Sequence, residues 1–279
     1  MAKEDPQPVD TPPVLYKYRP FDANGFDINL ITQGRVWFSS ARHFNDPFDS
    51  SVHLFIDSVP WETQLRHAMG LLRRTNPTLN REQRRVIATR QLKERERDPN
   101  RSQQFQQSQQ RQNETAFGIC CLTPVYDDLL MWAHYSDNHT GFCIGFHSHV
   151  IERWQQEFVG TNQSLLDLVK IEYSEEMPRL GFYETMLSDD WQDGLMKLVT
   201  TKSIHWSYEQ EYRLMYWDHP DTALALGREV VAEVIFGCRA DDSDITGVFS
   251  ALGSGGVTVP LCKARKHSMK FALEFDRIN

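Results

Sequence analysis

The 279-residue sequence has no apolar run that approaches the roughly 20 residues a membrane-spanning helix needs. Its longest runs, such as Phe142–Phe146 and Val234–Phe236, are only a few residues, so no membrane partner is expected. Its five cysteines are odd in number and include no C-x-x-C pair. That excludes a disulfide framework and a Cys-rich zinc site, and points to a reducing, cytoplasmic setting. The opening segment MAKEDPQPVDTPP lacks an apolar stretch, so no secretory signal is expected. There is no G-x-S-x-G elbow, no phosphate-cradling G-x-x-x-x-G-K-[ST] loop and no G-x-G-x-x-G after a strand. No carboxylate stands at a metal-site offset from a histidine: His134 and His139 are five apart, and His147 and His149 form a loose pair. No metal is therefore expected. Positive charge is also in deficit, with 30 Lys and Arg against 38 Asp and Glu. A net charge of −8, taken alone, argues against nucleic acid as a partner.

What is present qualifies that last exclusion. From Trp61 to Gln112 there are twelve basic and five acidic side chains, a local charge of +7 on a body carrying −15. The stretch is rich in good helix formers and poor in apolar residues, with Asn80 placed to cap a helix. A helix this polar covers a small patch or projects into solvent. Its arginines, Arg81, Arg84, Arg85, Arg90, Arg95 and Arg97, suit phosphate contact and base stacking better than lysines would. They are the candidate contacts for a nucleic acid or another acidic partner. Seven glutamines between Gln103 and Gln112 read as a frayed helix end or a loop.

The whole chain is 40% hydrophobic and reads as globular, and outside the basic stretch it is mixed α+β with roughly eight strands around a mainly antiparallel core. After a leader at 1–13, a single domain is expected over 14–279, with the basic helical insertion at about 61–112. Strands are expected at Val14–Arg19, Arg35–Ser40, in AFGICCLT, GFCIGF and KIEYSE, at His205–Trp217 and Val230–Phe236, and in VTVPL and KFALEF. Helices are expected at Asn29–Gln33, Trp61–Arg74, within DDLLMWAHYSDNHTG, and at Ser148–Val159 and Leu180–Thr201. The segment LGSGG reads as a turn.

Four stretches could carry chemistry. In WSYEQEYRLMYW, strand alternation puts Glu209, Glu211 and Arg213 on one face, with the two carboxylates about 7 Å apart at ~3.4 Å per residue. This is either a solvent-facing stripe or a buried E-x-E pair that needs a cation such as Arg213, Lys202 or Arg19 beside it. In YKYRPF, Tyr16 and Tyr18 share one face and Lys17 and Arg19 the other, with Arg19 ending the strand before Pro20. In FSSARHFNDPFDS, Ser39 and Ser40 close a strand, and Asn45 and Asp46 sit in a turn whose side chains cap their own backbone. In MWAHYSDNHTGFCIGF, Met131 and Tyr135 share a helix face, and His134 is either a structural hydrogen bonder or a catalytic group.

These four stretches, in this order, resemble the bacterial family catalogued as DUF2971. The matching pieces are LYKYRPF, VWFSSARHFNDPFD, CLTPVYDDLLMWAHYSDNHTGFCIGF, TKSIHWSYEQEYRL and AEVIFG, spanning Val14 to Gly237. That resemblance implies no activity. An arginine on the first strand, serines closing the second and E-x-E on a late strand also look like the arginine–serine–glutamate layout of ADP-ribosyltransferases. This second resemblance implies a split antiparallel sheet and an enzyme that consumes NAD as a substrate. It implies Glu211 as the catalytic acid and Glu209 as the group directing the acceptor. Arg19, Ser39 and Ser40 would hold the dinucleotide, with Tyr16, Tyr18, Trp206, Tyr135, Asn45 and Asp46 lining its site. A carboxylate beside the oxocarbenium-like centre that forms when the glycosidic bond breaks stabilises the transition state more than the ground state. Together the resemblances imply a bacterial toxin or anti-phage effector. Two other readings stay open: a hydrolase or nuclease using His134 with acidic residues, and a non-enzymatic sensor of nucleotides or RNA.

Overall fold

Alternating side chains in VLYKYR make β1 (Val14–Arg19) a strand with two chemically different faces. FCIGFH, apolar at both parities except at its last residue, makes β5 (Phe142–His147) a strand buried on both faces. β5 pairs antiparallel with β1 on one side and with β12 (Val231–Phe236) on the other. β13 (Leu261–Lys266) then joins β12 in parallel, and β14 (Leu273–Arg277) closes the edge antiparallel, giving the order β1-β5-β12-β13-β14. These elements come from a computed structural model that describes residues 11–22, 26–50, 53–55, 59–98, 100, 103–104, 107–108, 111, 115–160, 166–187, 196–197, 199–256 and 258–279.

The five-stranded sheet separates two apolar cores. Leu15, Phe142, Ile144, Phe146, Val234 and Phe236 face the larger one. It is covered by α1 (Phe26–Gln33), α5 (Ser148–Gly160) and α7 (Asp242–Gly255) through Ile31, Val150 and Val248, among others. Tyr16, Tyr18, Cys143 and Ile235 face the smaller core, covered by Met131 and Trp132 of α4 (Leu129–Tyr135). A second, antiparallel sheet has the order β4 (Phe117–Leu122), β10 (Tyr212–Trp217), β6 (Leu166–Lys170). Isolated bridges tie β4 to the neighbouring strands: Thr123 pairs with Tyr16, and Ile119 with Ser39, just beyond β2 (Arg35–Phe38). β2 itself pairs with β11 (Thr222–Ala225). Gly34, at φ 60°, ends α1 in the left-handed region, and any Cβ there would run into the Gly227 carbonyl.

Contacts divide the chain into two compact units, the first comprising Met1–His43, Thr115–Ile171 and Ile204–Asn279. The second, Phe44–Glu114 with Glu172–Ser203, holds the basic stretch. There α2 (Trp61–Thr75) and α3 (Arg81–Glu96) form a helical hairpin broken at Asn76-Pro77. Asn80 caps α3 as expected: its Oδ1 accepts from the Gln83 N–H, and Gln83 Oε1 accepts from the Asn80 N–H, both at 2.9 Å. β3 (His53–Phe55) pairs in parallel with β8 (Arg179–Gly181), and β7 (Glu172–Ser174) with β9 (Thr201–Ser203). His67 of α2 packs edge-on against Phe182 and Tyr183 of α6 (Phe182–Leu187).

The α+β class with mainly antiparallel pairing is as the sequence implies, but several boundaries differ. Fourteen strands stand among the described residues, because short pairings such as β3–β8 carry too little sequence to announce themselves. The helix expected over Leu180–Thr201 instead begins as β8, whose pairing with the distant β3 overrides local propensity. The expected long strand His205–Trp217 starts only at Tyr212. Ile204–Glu209 is a 3-10 turn, and Gln210, at φ 45°, is left-handed and breaks the alternation. LGSGG is no turn: α7 runs through Gly255, held by Leu252 and Val248 one turn apart in the core, and left-handed Gly256 ends it. The last strands accordingly begin later than expected, at Leu261 and Leu273. Part of the glutamine-rich run and the leader residues 1–10 lie outside the described residues.

Ile144 is fully buried at the centre of the larger core. Ile144→Ala is expected to cost about 2–5 kcal/mol in a urea titration, whereas Val86→Ala, on the exposed side of α3, should change stability by less than about 0.5 kcal/mol.

Candidate active site

α4 is short, and its placement rests on its cap. Asp128 Oδ1 accepts from the Leu130 and Met131 N–H groups at 2.8 and 2.9 Å. Met131 and Trp132 then enter the smaller core, where the Trp132 indole N–H donates to the Tyr126 carbonyl at 2.8 Å. Tyr135, one turn after Met131, packs against the same core, and its hydroxyl donates to Glu209 Oε1 at 2.6 Å. This is the job of the MWAHY segment that its spacing could not show: it anchors a carboxylate 74 residues away.

Glu209, Glu211 and Arg213 are only 4%, 2% and 0% exposed, so the solvent-facing stripe is excluded. Arg213 is the cationic neighbour expected for a buried pair. Its Nε donates to Glu211 Oε1 at 2.7 Å, and one terminal nitrogen reaches Oε2 at 3.4 Å. Glu211 and Arg213 keep the two-residue repeat of one strand face. Glu209 does not, because the left-handed Gln210 stands between the two acids and turns the chain. Lys202, another expected cation, belongs to the second unit and there pairs with Asp49 at 3.8 Å, both side chains buried.

The other expected site residues are dispersed. Arg19, at the end of β1, is 28% exposed at its side chain and 3.9 Å from Asp22. Its Nε is buried with no hydrogen-bond partner among the described residues. By strand alternation it lies on the face of Leu15 and Lys17, toward the larger core, and opposite Tyr16 and Tyr18. The two tyrosines do not line an open cleft. Both are buried, with hydroxyls donating to Glu233 Oε1 at 2.7 Å and to the Val125 carbonyl at 3.0 Å. Burial first of all pushes both phenols far above their ordinary range, with the Glu233 carboxylate adding to this at Tyr16. They are framework.

Ser39 pairs with Ile119, which stands opposite Met215. Glu211 lies four residues before Met215, about 13 Å along the strand at ~3.3 Å per residue. Ser39 is therefore not level with the glutamates. Ser40 is fully buried and serves Asp221: its N–H and hydroxyl donate to the two carboxylate oxygens at 3.0 and 3.2 Å. Arg42 donates to the same carboxylate at 2.6 Å, and His43 lies 3.5 Å away. The Ser40 N–H above all, then its hydroxyl and the Arg42 and His43 charges, hold the Asp221 carboxyl below its ordinary range against a smaller opposing effect of burial. This cluster was missed in the sequence; its only signal is an aspartate in a turn after Pro220, left-handed at φ 52°.

Asn45 and Asp46 belong to the second unit. Asp46 does cap its own turn, accepting from the Phe48 N–H at 2.9 Å, while its Oδ2 is buried without a partner among the described residues. His134 is exposed, near Tyr135, and makes no hydrogen bond to a carboxylate among the described residues. Trp206 is half-buried with its ring 6.1 Å from Tyr208. On α3, Arg81, Arg85, Arg95 and Arg97 are exposed; Arg84 donates to the Leu79 carbonyl at 2.8 Å, and Arg90 pairs with Glu94 at 2.8 Å. Ala88 and Leu92 face inward, so the arginines form a solvated outer stripe.

The E-Q-E segment and most of α4 fall within one recognisable stretch. Residues 131–214 match the family described as “Protein of unknown function (DUF2971)”. The DUF2971 stretch is narrower than the Val14–Gly237 span of the resemblance read from the sequence, and it contains Tyr135, Glu209, Glu211 and Arg213. No curated protein and no solved structure matches the chain. No helix among the described residues is long and apolar enough to cross a membrane, and these residues contain no cluster of three metal-ligating side chains.

Two measurements check the site's framework. Arg213→Met removes the cation bonded to the buried Glu211 carboxylate and is expected to cost about 3–5 kcal/mol by urea denaturation, part of it recovered when Glu211→Leu is added. For Asp221 the lowered carboxyl makes its ionised form stabilising above the ordinary aspartate range. The stability advantage of the native protein over Asp221→Asn should thus be full at neutral pH and vanish as pH falls below about 4. Thermal melts of both proteins from pH 7 to 3 read this directly.

Proposed function

We propose that this protein is an NAD-consuming enzyme of the ADP-ribosyltransferase type, with Glu209 and Glu211 as its carboxylate pair. The observation that carries the reading is the buried E-Q-E at the entry to β10. Each acid there is anchored by a short hydrogen bond, Glu209 from Tyr135 and Glu211 from Arg213, with left-handed Gln210 between them. A strained, non-glycine left-handed residue costs on the order of 1–3 kcal/mol and persists where the surroundings demand it, a pattern that clusters at functional sites.

In this reading Glu211, fixed by Arg213, places a preorganised anion beside the ribose. As the glycosidic bond to nicotinamide breaks, the bonding pair leaves with nicotinamide, and positive charge develops on the ribose carbon and ring oxygen. A carboxylate already oriented toward that charge stabilises it with little reorganisation. Glu209, oriented by Tyr135, directs the acceptor nucleophile and takes its proton. Arg19 has a partly open guanidinium at the end of β1, a feature suited to a dinucleotide phosphate. Trp206 is the aromatic left for ring stacking once Tyr16 and Tyr18 are assigned to the framework. The structure departs from the arginine–serine–glutamate layout in Ser39 and Ser40, so no dinucleotide contact is assigned to either. The basic stripe of α3 would recruit an acidic acceptor, a nucleic acid or an acidic protein, consistent with a toxin or anti-phage effector. Five free cysteines suit a reducing cytoplasm.

The test is nicotinamide release from NAD by the full chain, measured chromatographically with and without RNA or a bacterial protein extract as acceptor. Release is expected, and Glu211→Gln should reduce it by at least about a hundredfold. Glu209→Gln, which keeps an acceptor for Tyr135, should lower transfer to the acceptor more than hydrolysis of NAD. Absence of turnover with every acceptor, or full activity in a folded Glu211→Gln protein, would overturn the proposal.

A further inference from the structure

A second feature of the first unit is independent of the glutamates. The loop after α4 runs through three successive left-handed residues, Asp137, Asn138 and His139, at φ 48°, 54° and 72°. It faces the end of β12 and the tip of the β13–β14 hairpin across a cavity of about 610 Å³. Strand alternation sorts the charges of that hairpin. Arg265 pairs with Glu274 and Asp276 on one face, while Lys266 stands opposite Leu273, on the other face and toward the cavity. Arg239, Lys266 and Lys270 all line the cavity, and none makes an ion pair with a carboxylate among the described residues.

His139 also lines the cavity. Its ring stacks nearly parallel to Trp132, and its Nδ1 is buried with no hydrogen-bond partner among the described residues. Burial lowers its pKa, and the nearby Arg239 and Lys266 charges lower it further, so the ring adds no compensating charge to the site. Three exposed cations around one cavity, with no carboxylate paired to them among the described residues, are suited to an anion. At the rim Phe271 is 100% exposed and Met269 87% exposed, an apolar expense with no partner in the described structure. An aromatic ring beside a cationic cavity offers a stacking surface for a flat ring carried by the same anion.

We propose that the cavity between the 137–141 loop and the β13–β14 hairpin binds a nucleotide, its phosphates on Arg239, Lys266 and Lys270 and its base on Phe271. The volume is large enough for a nucleoside diphosphate. The assignment holds whether or not the glutamate pair turns over NAD, because no residue is shared between the two sites. α4 touches both places, Leu129 lining the cavity and Tyr135 holding Glu209.

Titration calorimetry of the full chain with ADP, inorganic phosphate and a short single-stranded oligonucleotide tests the proposal. ADP should bind saturably, and Lys266→Glu should weaken it by about tenfold or more, as loss and reversal of a charge-assisted contact requires. Phe271→Ala should weaken ADP by roughly three- to tenfold and leave phosphate binding unchanged. Lys263→Glu, on the opposite hairpin face, should change nothing, and Glu211→Gln should retain ADP binding even if nicotinamide release is lost. Melting curves and far-UV dichroism establish that each variant is folded; all three substituted hairpin side chains are exposed or partly exposed. No saturable ADP binding, or ADP binding indifferent to Lys266→Glu, would overturn it. So would phosphate binding as tightly as ADP with Phe271→Ala silent, or an oligonucleotide occupying the site that ADP does not.

Discussion

Burial of β5 on both faces is the constraint from which the first unit follows. A strand that is apolar at both parities can exist only between two cores, so its neighbours β1 and β12 must offer apolar side chains to both as well. β1 does so with Leu15 on one face and the rings of Tyr16 and Tyr18 on the other. Everything attached to β1 inherits this division. Arg19 is carried to the face of the larger core, and the tyrosines are drawn into the smaller one, where their hydroxyls are spent on Glu233 and the Val125 carbonyl. The face that reads as a row of ligand-binding aromatics is thereby framework, held by α4.

The glutamates show a different economy of charge. Three charged side chains within five residues are almost wholly excluded from water, which is costly unless each is paired. Arg213 and Glu211 satisfy one another along a single strand face, while Glu209 is reached from another element by Tyr135. The left-handed Gln210 lets one short segment meet both requirements, since an unbroken strand would place both acids on the Arg213 face. Asp221 solves the related problem near the surface, gathering Ser40, Arg42 and His43 around a turn and ending up more acidic than an ordinary aspartate.

Charge of the other sign is distributed by the same logic. On α3 the inward stripe is Ala88 and Leu92, and the arginines take the solvated side, where the Arg90–Glu94 pair contributes little to stability. On the β13–β14 hairpin, alternation separates paired cations from unpaired ones and directs the unpaired ones toward the His139 loop. The overall charge of −8 describes neither place.

Local pattern by itself determined much of this protein. Alternation placed β1, apolar strand-like runs placed β2, β4 and β5, Asn80 placed the start of α3, and helix-like stretches placed α2, α4 and α5. The E-x-E with its need for a cation was legible, as was the self-capping turn at Asp46. Other features were not legible, because they are decided by partners far along the chain. β8 is a strand only because β3 lies beside it, and α7 absorbs two glycines because Leu252 has a core to fill. Tyr135 finds Glu209 across 74 residues, and Ser40 finds Asp221 across 181. The His139 cavity joins a loop to a strand end and a hairpin that lie far along the chain from it. Periodicity records which face a side chain takes. Only tertiary packing decides what that face meets, and hence whether a tyrosine stacks on a ligand or holds a wall in place.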